Sequence, residues 1–192
     1  MLWVRTATVE DVEQMMQLDY RYYPEQWHVD LEAVKKTFRK GTQLARIVGT
    51  EKGIKGYYAA LPLHEDAYEK VLRGELKEGE LSEYVLHYQN AKEVYLYNVS
   101  IIVDMEDPDR KLYSRTLVQD MPCFFNSLAE AGVVVRELGA IVVSNEGKKL
   151  AERIGYRHEG QILPYEGHDY PIYRAQIKNI LEAIKEPTLR GV

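Results

Sequence analysis

The chain has 192 residues, 45% of them apolar, and 30 acidic residues against 25 Lys and Arg give a net charge of −5. That length suits one domain with a real core and is short for two; the composition argues against a disordered chain, and the acidic balance against broad nucleic-acid binding. No apolar run nears the roughly 20 residues that cross a bilayer, and Met1 to Glu13 lacks a basic-then-apolar leader, so a cytoplasmic protein without a membrane partner is expected. The single cysteine, Cys123, excludes an internal disulfide and a cysteine-based zinc site. Tyrosine is overused, with 15 residues against three Phe and two Trp. Many rings must therefore sit where a hydroxyl finds a partner.

Leu2 to Thr6 alternates as a short strand does. Thr8, followed by Glu10 and Asp11, then opens a helix whose apolar stripe is Val9, Val12, Met15, Met16 and Leu18. Tyr20 to Trp27 has no period and contains Pro24, which predicts a loop or broken helix. Asp30 starts a second helix through Leu31, Val34 and Phe38, ended by Gly41. Leu44 to Val48 and Gly56 to Leu61 flank a Gly-bounded turn and predict an antiparallel pair. A helical pattern through Ala67, Tyr68, Val71 and Leu72 stops at Gly74 and resumes to His87, so a helical insertion is expected at about 64–90.

Glu93 to Val103 is rich in β-formers and long enough to be a central, mostly buried strand. A polar loop follows, then a helix from about Lys111 to Ala131, in which Pro122 predicts a kink or break near residue 121. Leu138 to Val143 reads as a short buried strand, and Asn145 starts a helix that Gly155 ends. Tyr156 to Leu163 and Tyr170 to Ala175 form a strand pair, Ile177 to Ile184 an amphipathic helix, and a short polar tail closes the chain. Nothing divides the chain, so a single domain over 1–192 is expected. This order predicts an α/β fold, a mixed sheet of about six to seven strands with helices on both faces.

The element order, Val4 to Thr8 with Asp11, Ile54 to Leu61, Tyr95 to Val103 followed by loop and helix, Leu138 to Ser144 with Asn145, and the segment Gly147 to Tyr156 together resemble the GNAT superfamily of acyl-CoA N-acyltransferases. The resemblance implies a mostly antiparallel sheet with a splayed parallel pair at its centre, Tyr95 to Val103 beside Leu138 to Val143. It implies acetyl-CoA or another acyl-CoA as donor, its pantetheine arm bonded to the strand backbone at Ile101, Ile102 and Val103. Exposed N–H and C=O groups of parted strands need such a partner in any case. The pyrophosphate would meet the next helix start, where free N–H groups and the helix dipole favour anions.

Here the sequence departs from the family. The loop Asp109 to Thr116 lacks the family's two glycines. With Lys111 opening the motif, Ser114 and Thr116 fall at the glycine positions; with Arg110 opening it, Tyr113 and Arg115 do. The first register is preferred because small hydroxyl residues sit well near phosphate. Arg110, Lys111 and Arg115 supply positive charge in either, although charges at a helix start are also ordinary solvated side chains. The implied cofactor-binding set is Ile101, Ile102, Val103, Arg110, Lys111, Ser114, Arg115, Thr116 and Asn145. Many members place a general-acid Tyr where this chain has Ala151, so no catalytic residue carries over, and Tyr156 matches a structural aromatic.

Glu93, Tyr95 and Tyr97 lie on or beside the central strand, and one of them is a candidate for the reaction centre. No metal site is expected, since His28, His64, His87, His158 and His168 lack ligand spacing. The acceptor would be an amine, of a small molecule or a protein, met by Tyr20 to Trp27, His64 to Tyr88 and Tyr165 to Tyr173, with Glu25, Glu83 and Glu166 suited to a cation. A homodimer is compatible with this reading, and a catalytically inactive binding or regulatory module is its alternative.

Overall fold

The computed structural model describes residues 1–41 and 43–185; the expected polar tail lies outside the described residues. The chain opens with β1 (Trp3–Thr6). A 3-10 turn (Val9–Asp11) then leads into α1 (Val12–Tyr22), with Asp11 reaching back to accept from the Thr8 N–H at 2.8 Å. The 20–27 segment divides as its residues dictate. Helix α1 runs to Tyr22, Tyr23 before the proline is extended, and Pro24 opens a second 3-10 turn (Glu25–Trp27). Asp30 caps α2 (Leu31–Phe38) by accepting from the Ala33 N–H at 3.1 Å.

Strands β2 (Ala45–Thr50) and β3 (Gly53–Leu63) form the expected antiparallel pair, and α3 (Glu65–Leu72) follows. The helical pattern expected to resume after Gly74 forms only a 3-10 helix (Glu78–Glu83) within turns. Its buried apolar residues, Leu76, Leu81 and Val85, are too sparse to give a continuous stripe, so burial anchors turns there rather than an α-helix.

Strand β4 (Glu93–Val103) has the expected bounds, and where a kink or a break was expected α4 (Arg110–Glu130) runs through Pro122 unbroken. Proline removes one helix N–H, and buried Leu117, Val118, Met121, Phe124, Phe125 and Leu128 hold both halves against the sheet. Strand β5 is Val134–Ile141, four residues earlier at its start than the apolar run suggests. Its first half, Val134 to Glu137, pairs with β4, and Arg136 bonds Glu93 across the strands at 2.5 Å. The remaining elements are α5 (Asn145–Arg153), β6 (Arg157–Tyr165), β7 (His168–Ala175) and α6 (Ile177–Lys185). Gly155 ends α5 at φ +98°, where an added Cβ would lie 2.6 Å from the Asn179 carbonyl oxygen of α6. Only glycine fits that approach.

The seven strands form one sheet in the order β1-β2-β3-β4-β5-β7-β6, and β4/β5 is its parallel pair. Helices cover both faces. Val94, Leu96 and Val103 of β4 pack with α4, α5 and α6, whereas Tyr97 and Ile102 face the side of α1 and α3. Among the described residues no helix is long and apolar enough to cross a membrane.

Candidate acyl-transfer site

Two irregularities of β4 build the site. Its parallel rungs with β5 run Glu93↔Val134, Val94↔Val135, Leu96↔Leu138 and Tyr97↔Gly139, and there they stop. Beyond that rung β5 pairs with β7, through Ala140↔Tyr173 and Ile141↔Ile172, while β4 pairs on with β3 to Val103. The two central strands have therefore parted, and the β5-facing backbone of β4 from Asn98 onward has no partner strand. Peptide groups so placed require hydrogen bonds from another source.

The second irregularity is a bulge. Ala59 pairs with Ser100 and Ala60 with Asn98, which leaves Val99 as an extra residue. A one-residue insertion reverses the alternation of everything after it. Ile101 and Val103 consequently turn to the α4 side, and Ser100 and Ile102 join Tyr97 on the α1 side. Of the expected strand contacts, Ile101 is half-buried and Ile102 and Val103 are buried, all on the parted stretch.

The loop from β4 to α4 is closed by its own carboxylates. Asp104 accepts from the Glu106 N–H at 3.3 Å and the Tyr22 hydroxyl at 2.9 Å. Asp107 accepts from the Asp109 N–H at 3.0 Å, and Lys55 reaches Asp107 at 2.8 Å and Asp104 at 3.4 Å. The N–H groups of Arg110, Leu112 and Tyr113 bond back to the Asp107 and Asp109 carbonyls. Without glycines this loop does not offer an anion a cradle of free backbone donors. Side chains are left for that work. Arg110 and Lys111 are exposed at the start of α4, Ser114 and Arg115 are half-buried one turn on, and none of the three cations has an ion pair among the described residues. The buried Nε of Arg115 has no hydrogen-bond partner. Thr116 is half-buried and donates to the Leu112 carbonyl at 2.8 Å, while Asn145 is exposed at the first turn of α5, whose cap is Ser144.

On the α1 face, behind the bulge, a cavity of about 70 Å³ is lined by apolar side chains and two carboxylates, Asp19 and Glu78. Asp19 Oδ1 accepts from the Tyr57 hydroxyl at 2.5 Å and from Ser100 at 3.4 Å, and Ser100 pairs with the Tyr23 hydroxyl at 3.0 Å. Glu78 Oε1 accepts from the Tyr97 hydroxyl at 2.5 Å. Burial pushes the Asp19 carboxyl up to about 6, against the opposing pull of its Tyr57 and Ser100 bonds. Burial, with the charge of Asp19 adding, pushes Glu78 up to about 7 against its bond from Tyr97. Both half-buried carboxyls are thus held above the usual carboxylate range.

Of the three residues singled out along β4, only Tyr97 belongs to this cluster. Glu93 is bound to Arg136, and Tyr95 packs on Tyr68 at 5.1 Å between ring centroids. The three candidate acceptor segments do converge. Trp27 lies 5.1 Å from the ring of Tyr165 and 5.0 Å from that of Tyr170, and the insertion contributes Glu78. Glu83 is engaged by Lys36 at 2.5 Å, and Glu25 and Glu166 are exposed. Ala151 and Tyr156 are core residues, packed in the cluster around α4.

Tyr23 and Glu78 lie within the candidate acceptor segments without being singled out there, and Asp19, Tyr57 and Ser100 were not candidates from sequence. Asp19 carries a usable signal, since Val12, Met15, Met16 and Asp19 complete an i, i+3, i+4, i+7 stripe with an acid on the buried face. Glu78 lies among exposed acids and has none.

No family model matches this sequence, and no curated protein matches it. Solved structures do. The loading GNATL domain of CurA from Lyngbya majuscula superposes with a TM-score of 0.68 at 15% identity, over 93% of this chain and 98% of that one. A GNAT-family acetyltransferase from Streptococcus agalactiae gives 0.57 at 17%, over 91% and 94%. Arabidopsis thaliana NAA60, solved with acetyl-CoA, gives 0.56 at 14%, over 91% and 97%. The chain has the GNAT fold, with its mixed sheet and a single parallel pair at the point where the strands part.

Proposed function

We propose that the protein is a cytoplasmic acyl-CoA-dependent N-acyltransferase, with acetyl-CoA or another acyl-CoA as donor and an amine as acceptor. The observation that carries this reading is the parted β4/β5 pair, whose unpartnered β4 backbone suits the amide-bearing pantetheine arm. Arg110, Lys111 and Arg115, none of them in an ion pair among the described residues, fit the pyrophosphate through side chains in place of a glycine cradle.

The cavity carboxylates supply what the acceptor needs. An ammonium group must lose a proton before its nitrogen can attack, and in this reading Glu78 and Asp19, whose carboxyls burial holds above the usual range, take it. The nitrogen then bonds the thioester carbonyl carbon, the carbon–sulfur bond breaks, and the thiolate departs with the electron pair and takes up the second proton that the nitrogen sheds as the amide forms. A thiol titrates near pH 8–9, so that departure is feasible near neutrality without the tyrosine that Ala151 replaces. Calorimetric titration with acetyl-CoA and longer acyl-CoAs tests the reading, together with thiol release in the presence of an amine panel. Absence of binding by every acyl-CoA and by free CoA overturns it.

Two observations favour a second reading, a GNAT-fold module that binds without catalysing: the loop N–H groups closed by Asp104 and Asp107, and Ala151 at the usual acid position. Acyl transfer to any amine in the panel excludes that module.

A further inference from the structure

The cavity behind the β4 bulge is enclosed mainly by Met15, Val34, Phe38, Leu81 and Val99, with Asp19 entering from α1 and Glu78 from the insertion. Each carboxylate has a tyrosine donor, and neither has a Lys or Arg partner among the described residues. The basic group whose charge reaches Asp19 is His28, and its Nε2 is already bonded to the Tyr23 carbonyl at 2.8 Å. Two acids in an apolar wall without a cation are costly, and a ligand that brings one relieves the cost.

We infer that this cavity is the acceptor subsite and that it takes the ammonium end of a small aliphatic monoamine, with an apolar body of about three to five carbons. The inference rests on the acyltransferase reading and adds the class of acceptor. Size sets the upper limit. A cavity of roughly 150 Å³ holds the six heavy atoms of benzene, so this one, at about 70 Å³ and open on one side, encloses the ammonium nitrogen and the first carbons, and the rest of a short alkyl chain lies in its mouth. Charge disfavours the other natural occupant, an acyl tail, which would leave both carboxylates against hydrocarbon with only the Tyr57, Ser100 and Tyr97 hydroxyls to compensate them. A diamine of the same length would place its second charge among Met15, Val34 and Phe38, and a peptide would bring polar backbone there. Position favours an acceptor, because Val99 of the bulge forms part of the wall and Tyr97, which holds Glu78, occupies the last rung before the strands part.

The test uses the full chain and n-butylamine as probe, with n-butanol, 1,4-diaminobutane and a short peptide with a free N-terminus as controls, read by amide chemical-shift perturbation. Butylammonium is expected to saturate shifts around Asp19, Ala33 and Val99, with each control at least tenfold weaker. Asp19→Asn with Glu78→Gln should abolish the binding, and Ala33→Leu should weaken it by filling the cavity while leaving the charges intact. Should either variant fail to fold, the ranking of the four probes on the wild-type chain decides. Equal or tighter binding of the diamine or the peptide overturns the inference, as does binding of butanol as tight as that of butylamine. Acetyl-CoA titrated in parallel separates the two readings. Donor binding without amine binding overturns the subsite alone, whereas amine binding without donor binding upholds the subsite and overturns the enzyme.

Discussion

Tyr97 and Gly139 face each other on the last rung that joins β4 to β5, and the space where residue 139 would carry a Cβ is taken by the Tyr68 hydroxyl, 2.4 Å away. That hydroxyl donates to Glu137 at 2.8 Å, and Glu137 in turn accepts from Arg174, which also grips Glu69 of α3. The rung at which the sheet divides is thus fixed from below by a network joining α3, β5 and β7. Gly139→Ala must displace Tyr68 or push β5 away from its neighbours, at a cost of about 1–3 kcal/mol. Urea denaturation should show that loss. Pairing it with Tyr68→Leu, which vacates the space, should recover part of it, and additive losses would show that the two positions are uncoupled.

The acid pair gives the protein an unusual dependence on pH. Asp19 moves from 3.8 to about 6 on folding, and Glu78 from 4.5 to about 7. A carboxyl raised in the fold holds its proton there after the unfolded chain has released it. The stabilisation is therefore complete below about pH 4 and is lost as pH rises through about 6 and 7. For Asp19 alone that loss is on the order of 2–3 kcal/mol. Stability measured from pH 4 to pH 7.5 should fall, and Asp19→Asn should flatten the fall while raising stability at pH 7.5. A flat wild-type profile would contradict the burial of these groups. Amine binding should run the other way, strengthening across the same window as the carboxylates ionise.

Much of this fold is written in periodicity and punctuation. The bounds of β4, the Asp30 cap and the Gly155 stop follow from β-forming runs, a capping oxygen and a backbone approach that tolerates no side chain. The Val99 bulge leaves no such mark, because one extra residue within a long β-forming segment changes which face each side chain takes without changing the composition of the segment. The start of β5 hides for a related reason: Arg136 and Glu137 are polar, and their partners Glu93, Tyr68 and Arg174 come from distant parts of the chain. The site inherits both gaps. The half proposed for the donor lies on segments that the resemblance marks, whereas the half proposed for the acceptor depends on Ser100, turned inward by the bulge, and on Glu78, carried in by turns.

Phosphate recognition by side chains makes a prediction that a glycine cradle would not. If Arg110, Lys111 and Arg115 carry the pyrophosphate, Lys111→Glu and Arg115→Glu should each raise the KM for acetyl-CoA about 5- to 20-fold, on the scale of one lost charge-assisted contact. Both should leave turnover of S-acetylpantetheine, which lacks the nucleotide phosphates, unchanged. Raising ionic strength should weaken acetyl-CoA binding in the wild type more than in the variants. Equal losses with the two donors would place the phosphates elsewhere.

Ser100 links the hydroxyl of Tyr23, at 3.0 Å, to Asp19, at 3.4 Å, beside the stronger bond that Asp19 accepts from Tyr57. Its bond to Asp19 opposes the effect of burial, so Ser100→Ala should move the titration of Asp19 above its value of about 6. The same change leaves the Tyr23 hydroxyl without its serine partner, for a loss of about 1–2 kcal/mol. Adding Tyr23→Phe should restore much of that stability, because removing both members of a buried hydrogen bond costs less than removing one. The Asp19 titration should stay displaced in the double variant, since Ser100 remains absent. Carboxyl-carbon NMR titration and urea denaturation of the two variants separate these effects, and an unmoved Asp19 titration in Ser100→Ala would show that the serine does not tune the acid.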